Sequence, residues 1–157
     1  MNYEYLDNLI LKCQKAKEIQ PIRKFLLKNL SELETISKAI YIIRLKNGDE
    51  KEIFNKLKRY KEKKERACPK LNAPSSVLYI GSSTTNLKQR IKQHLGEGSK
   101  STYALHLKYW LENFQDRIEI EILVYEQNIE IEVFQLIEDN LSFTLKPAFG
   151  KRGANNK

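Results

Sequence analysis

The chain has 157 residues, 41% of them hydrophobic and 31% charged, which fits one globular domain and excludes a disordered chain. No apolar run approaches the ~18 residues of a membrane span, and the acids at Glu4 and Asp7, with no small-residue cleavage site, argue against a leader. Cys13 and Cys68, with two histidines, make a poor zinc set, so a reduced cytoplasmic setting is the default.

The net charge of +8 is unevenly spread: residues 112–139 hold nine acids against the single base Arg117, leaving the rest of the chain at +16. Such segregation favours a polyanionic partner, nucleic acid before membrane or protein.

Residues 3–30 read as a two-helix lead-in, with Leu6, Leu9, Ile10 and Cys13 at helical spacing, Pro21 as punctuation, and Ile22, Phe25, Leu26 and Leu30 resuming the pattern. AIYIIRL (39–45), closed by Asn47-Gly48, is a strand with Tyr41 and Ile43 on one face and Ile40 and Ile42 on the other. Lys51 to Arg66 form a basic helix whose thin apolar seam is Ile53, Phe54, Leu57 and Tyr60, followed by a loop marked by Pro69 and Pro74. VLYIG (77–81) is a second strand, expected to bend at Gly81-Ser82-Ser83 into a helix capped by Thr84 or Thr85. That helix buries Leu87, Ile91 and Leu95 and stops at Gly96 and Gly98. A further helix is expected from Ser101 or Thr102, burying Tyr103, Ala104, Leu107, Trp110, Leu111 and Phe114. RIEIEILVY (117–125) alternates as a strand with Glu119 and Glu121 on a wet face, and a last helix covers about 130–145. The expected fold is α/β (α+β): a small three-stranded mixed or antiparallel sheet flanked by helices.

Three features exceed the needs of packing. Tyr41 and Tyr79 fall on one sheet face if their strands pair, and a bend after Gly81 would aim backbone N–H groups and hydroxyls at a phosphate. Arg90 and His94, four residues apart, share a helix face beside Lys88 and Lys92, and Arg90 has the planar fork that a phosphate prefers. Glu138 sits at the edge of the stripe Phe134, Ile137, Leu141 and Leu145. A carboxylate there needs a cation, either a lysine or a hard divalent ion held by one carboxylate plus phosphate oxygens and water. His106 lies near the sheet side of its segment, where a structural hydrogen bond is the simpler role.

AIY (39–41), YIGSS (79–83), LKQRIKQH (87–94) and EDNLSFTLKPAFG (138–150), in this order, resemble the GIY-YIG nuclease superfamily. The resemblance spans residues 36–150 and leaves 1–35 as the lead-in, 46–75 as an insertion carrying the basic helix, and 151–157 as a basic tail. It implies metal-dependent hydrolysis of DNA phosphodiesters by a GIY-YIG-type endonuclease, with Mg²⁺ or Mn²⁺ held by Glu138. Tyr41 would deprotonate or orient water, with Tyr79 assisting, Arg90 on the scissile phosphate and His94 in acid–base or phosphate contact. Ala39 replaces the usual glycine, the tyrosines are 38 residues apart rather than close, and Gly150 stands where many members carry asparagine, for which Asn155 or Asn156 could compensate.

Lys58, Arg59, Lys88, Lys92, Lys151 and Arg152 are the candidate DNA contacts. A small restriction-type enzyme is the first expectation, with a repair or mobile-element nuclease as variants of it. A non-catalytic nucleic-acid-binding protein on the same scaffold is the rival. Cutting both strands calls for two sites, hence a homodimer through the N-terminal helices.

Overall fold

A computed structural model describes residues 1–151. In chain order the elements are α1 (Glu4–Glu18), β1 (Arg23–Leu26), β2 (Ala39–Leu45), α2 (Glu50–Glu62), β3 (Val77–Ser83), α3 (Leu87–Lys92), α4 (Phe114–Arg117), β4 (Ile118–Val124) and α5 (Ile131–Leu145). The sheet is wholly antiparallel in the order β1-β4-β2-β3, so it has four strands where three were expected.

The additional strand is β1. Its Phe25 and Leu26 sit at helical spacing with Ile22 just before the strand, yet Phe25 pairs with Ile122 and the segment closes the edge of β4 that β2 leaves open. An unpaired row of backbone groups on β4 outweighs the weak helical preference of four residues. The lead-in therefore contains one helix, α1, and one strand. No residue of α1 is buried, and Leu6, Leu9 and Ile10 are exposed. The helix holds to α5 through Ala16 and Ile19 and through ion pairs of Lys15 with Glu130 and Lys12 with Glu132.

The strands bury both faces. Tyr41, Ile43, Ile120 and Ile122 pack under Leu57 of α2 and Leu87 and Ile91 of α3, while Ile40, Ile42, Ile80 and Leu123 pack under Val133, Phe134 and Ile137 of α5. This is the strand-face assignment that the alternation in AIYIIRL predicts. Asp49 caps α2, whose seam Ile53, Leu57 and Tyr60 is buried while Phe54 stacks on Phe149. Asn86, not a threonine, caps α3 by accepting from the Gln89 N–H, and α3 runs on into a π-type turn at Gln93–Glu97.

Residues 101–113 do not form the expected helix. His106 and Asn113 are left-handed (φ +50° and +54°), a conformation no α-helix contains, and only a 3₁₀ turn at Leu107–Tyr109 intervenes. Ala104, Leu105, His106 and Leu107 are buried in succession, which a helix face cannot achieve, and Tyr103 is left exposed.

Among the described residues β3 ends the sheet, so one edge of it has no strand partner. Near its start that edge is covered: the N–H groups of Ala148 and Phe149 donate to the carbonyls of Val77 and Leu78. Further along, at residues 80–83, lies the candidate site.

Candidate active site

Gly81, Ser82 and Ser83 continue β3, pairing with Tyr41, Ile40 and Ala39. The bend and its backbone phosphate cradle are therefore absent; the ladder with β2 holds those residues extended. Gly81 has a different purpose. A Cβ built there overlaps the Tyr41 hydroxyl and lies 2.5 Å from its Cζ, so the missing side chain is what lets the buried phenol lie across β3. Tyr79 stacks beside it, ring centroids 6.2 Å apart and planes within 9°. Gly150 approaches Tyr79 in the same manner: at φ +89°, a Cβ would come within 2.7 Å of Cε2. An asparagine at that position is thereby disfavoured.

Arg90 and His94 converge on the two phenols. Arg90 Nε donates to Tyr41 Oη (3.1 Å), Nη2 to Tyr79 Oη (3.2 Å) and Nη1 to Gln93 Oε1 (2.9 Å). That leaves two of its five N–H groups uncommitted. His94 is fully buried, its Nδ1 accepting the Leu105 N–H at 3.1 Å and its Nε2 lying 2.9 Å from Tyr41 Oη. A ring nitrogen that accepts carries no proton, so the hydrogen-bond network assigns the Nε2–H tautomer, which donates to Tyr41. Burial, then the Arg90 charge and His106, hold His94 well below its usual pKa and keep it neutral. Tyr41 Oη thus receives two donors.

Burial pushes the Tyr41 phenol well above its ordinary pKa, with the neighbouring Tyr79 adding to the rise and Arg90 opposing it. In this state Tyr41 is a neutral phenol. Its ionisation needs additional positive charge nearby.

Glu138 reaches the same stretch of β3 from the opposite face of the sheet. Ser82, which alternates with Gly81, donates to its Oε2 at 3.0 Å, and Gln135 donates to the same oxygen at 3.1 Å. The second Gln135 acceptor is Asp139 Oδ1 at 3.0 Å. Burial raises the Glu138 carboxyl's pKa, the Ser82 hydrogen bond opposing it and Asp139 adding to it; Lys151 lowers it through space. Among the described residues no lysine or arginine forms an ion pair with Glu138, and Oε1 takes no hydrogen bond. One partly buried carboxylate with a free oxygen fits a hard divalent ion completed by water and phosphate oxygens. It does not fit a many-ligand transition-metal site, and among the described residues no cluster of three ligating side chains occurs.

The structure therefore brings Tyr41, Tyr79, Arg90 and His94 into one bonded cluster, with Glu138 across the edge strand. Of the candidate DNA contacts, Lys88 and Lys92 lie two residues to either side of Arg90 on α3. Lys88 pairs with Glu34 (3.0 Å) and Lys92 with Glu97 (3.5 Å), whereas Lys58 and Arg59 are exposed on α2. Lys151 is exposed; Arg152, Asn155 and Asn156 lie outside the described residues. His106 Nε2 contacts the carbonyls of Thr102 (2.8 Å) and Ala67 (3.1 Å), and its Nδ1 is a buried atom without a partner among the described residues.

Gln135 and Gln93 were legible in principle, each three positions from the residue it holds on a helical face. Asn72 was not. Its Nδ2 ties down the carbonyls of Gly150 (2.8 Å) and Pro147 (3.1 Å), a long-range contact with no local signature.

An arginine fork, a doubly bonded phenol and a carboxylate free for a cation, gathered at an open sheet edge, are the groups a phosphodiester hydrolase requires. The GIY-YIG catalytic domain model matches residues 37–141, about two thirds of the chain, and the chain belongs to the GIY-YIG family of nucleases. Nucleases of this family generally depend on a divalent metal. No curated protein and no solved structure matches the chain. No helix among the described residues is long and apolar enough to cross a membrane.

Proposed function

We propose that the chain is a Mg²⁺-dependent DNA endonuclease that hydrolyses phosphodiester bonds at the open edge of β3. The observation that carries this reading is the pair of donors on Tyr41 Oη, from Arg90 and His94. Two N–H groups aimed at one oxygen favour its charged form, and the phenol's own proton is the only one it has to exchange. A divalent cation on Glu138 supplies charge neutralisation of the phosphate and of the departing oxygen.

The chain's own residues do the rest. Tyr41 first gives its own proton to solvent, its two donors holding the negative charge on Oη, and as the phenolate it then takes the proton of the attacking water and returns to the neutral phenol. Neutral His94 cannot accept a proton at Nε2, which already carries one, so it acts as a fixed donor. The Arg90 N–H groups left uncommitted by the phenols grip the phosphate and stabilise its developing charge. Tyr79 accepts from Arg90 Nη2 and so holds the guanidinium beside the two phenols. Ser82 and Gln135 orient Glu138 by occupying Oε2, which would leave Oε1 to hold a cation.

The test is plasmid nicking with Mg²⁺, with EDTA, and by the Glu138→Ala protein. Cleavage that needs Mg²⁺ and is lost in Glu138→Ala supports the reading; full activity in Glu138→Ala removes it. Cutting both strands takes two such sites, and pairing of two copies through the exposed Leu6, Leu9 and Ile10 of α1 would provide them. Sedimentation showing only monomer on and off DNA rules that pairing out.

A further inference from the structure

We propose that a recess between the end of α2 and the loop at 98–103 holds an unpaired nucleotide of the nucleic-acid substrate; this deepens the nuclease reading and rests on it. The recess is an open hollow of about 390 Å³, within the range of small-ligand pockets, and its charged and aromatic lining is Lys61, Lys64, Glu65, Arg66, Lys100 and Tyr103. Four cations face one carboxylate.

Two of those cations build the walls. Lys61 Nζ donates to the Pro69 carbonyl (3.0 Å), and Arg66 Nη1 donates to the Gly98 carbonyl (2.9 Å) while its guanidinium lies 3.9 Å from the centre of the Tyr109 ring. The other two are available. Lys64 and Lys100 are exposed and form no ion pair among the described residues, unlike Lys88 and Lys92. Lys64 is left-handed (φ +54°), so the chain turns sharply off α2 at the rim of the hollow. Glu65 stands exposed among them and opposes an anion, which the surrounding cations outweigh.

Tyr103 identifies the occupant. Helical spacing would bury it, yet it is 69% exposed beside the lysines. A flat aromatic face among cations is the arrangement that stacks a base and grips its flanking phosphates. An acidic peptide would use the cations and leave the ring idle. Both walls also lead to the Tyr41 cluster. From one wall, the Lys70 carbonyl takes the N–H of Gly150, the residue lying against Tyr79; from the other, Leu105 N–H fixes His94. A base can stack on Tyr103 only where it is unpaired, so the predicted substrate carries a single-stranded arm.

The test is fluorescence anisotropy in EDTA with two labelled DNAs, a blunt duplex and the same duplex with a single-stranded arm, over a range of salt concentrations. Tyr103→Ala is expected to weaken binding of the armed duplex roughly 5- to 150-fold, with less than a two-fold effect on the blunt one, and Tyr103→Phe to restore it. The Lys64→Ala/Lys100→Ala protein is expected to lower the slope of log K against log salt on the armed duplex by about 1.4–1.8, two phosphates' worth. If the wild type binds and cuts DNA while both variants match it, the recess proposal fails and the nuclease reading stands. A lysine effect with no Tyr103 effect also overturns it, in favour of a bare electrostatic patch or an acidic peptide. A wild type that neither binds nor cuts overturns both.

Discussion

Gly81→Ala tests the geometry of the site with a single methyl group. The new Cβ would overlap the Tyr41 hydroxyl and sit 2.5 Å from Cζ and 3.0 Å from Cε2, so the phenol must move. Tyr41 is 1% exposed and fixed by Arg90, His94 and the stacked Tyr79, which leaves it no room to swing aside without breaking a bond. Overpacking of this kind costs about 1–3 kcal/mol. For a chain of this size that is a fall in Tm of roughly 2–12 °C. Activity should suffer more, because a displacement of about 1 Å at the reacting group costs on the order of 100-fold. The assays are thermal unfolding and plasmid nicking by Gly81→Ala, with Tyr41→Phe and the double variant completing a cycle. Removing the hydroxyl removes the closest overlap, so Gly81→Ala should destabilise the Tyr41→Phe protein less than the wild type. A Gly81→Ala protein with unchanged Tm and activity within a few-fold would refute the claim that Gly81 exists to let the phenol pass.

Other outcomes follow from the same contacts. Glu138→Gln should abolish cleavage yet raise Tm at neutral pH without divalent cations. Burial raises the folded-state pKa of this carboxyl, so its stabilising contribution is full at acid pH and is lost as pH rises through the raised value; an unchanged or lower Tm contradicts this. Arg90→Lys should lose on the order of 100- to 1,000-fold in single-turnover rate, because a lysine cannot bridge both phenols and still fork onto a phosphate. The acid limb of the pH–rate profile should persist in His94→Gln, since burial holds His94 neutral. Disappearance of that limb in His94→Gln would show that the histidine titrates.

The strands bearing Tyr41 and Tyr79 were legible because β-branched and aromatic residues alternate there between two buried faces, and α2, α3 and α5 because their apolar stripes keep helical period. The Tyr–Arg–His–Glu set was legible only as an ordered pattern. Nothing in the local sequence shows that Glu138 approaches from the opposite face, since that depends on α5 crossing the sheet. β1 is not legible because four residues at helical spacing cannot reveal that β4 has a bare edge. The path of residues 101–113 is not legible because the left-handed turns at His106 and Asn113 carry no glycine to announce them. The bend expected at Gly81 failed for an instructive reason. The glycine is required by a side chain 40 residues earlier, Tyr41, rather than by its own backbone.

Single-turnover cleavage of labelled DNA in Mg²⁺ by the wild type and by Tyr41→Phe addresses the central claim most directly, because the substitution keeps the ring and removes only the oxygen that Arg90 and His94 hold. A loss of roughly 100- to 10,000-fold in rate, with the DNA affinity of the wild type closely retained, is the predicted result. Cleavage by Tyr41→Phe at the wild-type rate would contradict it.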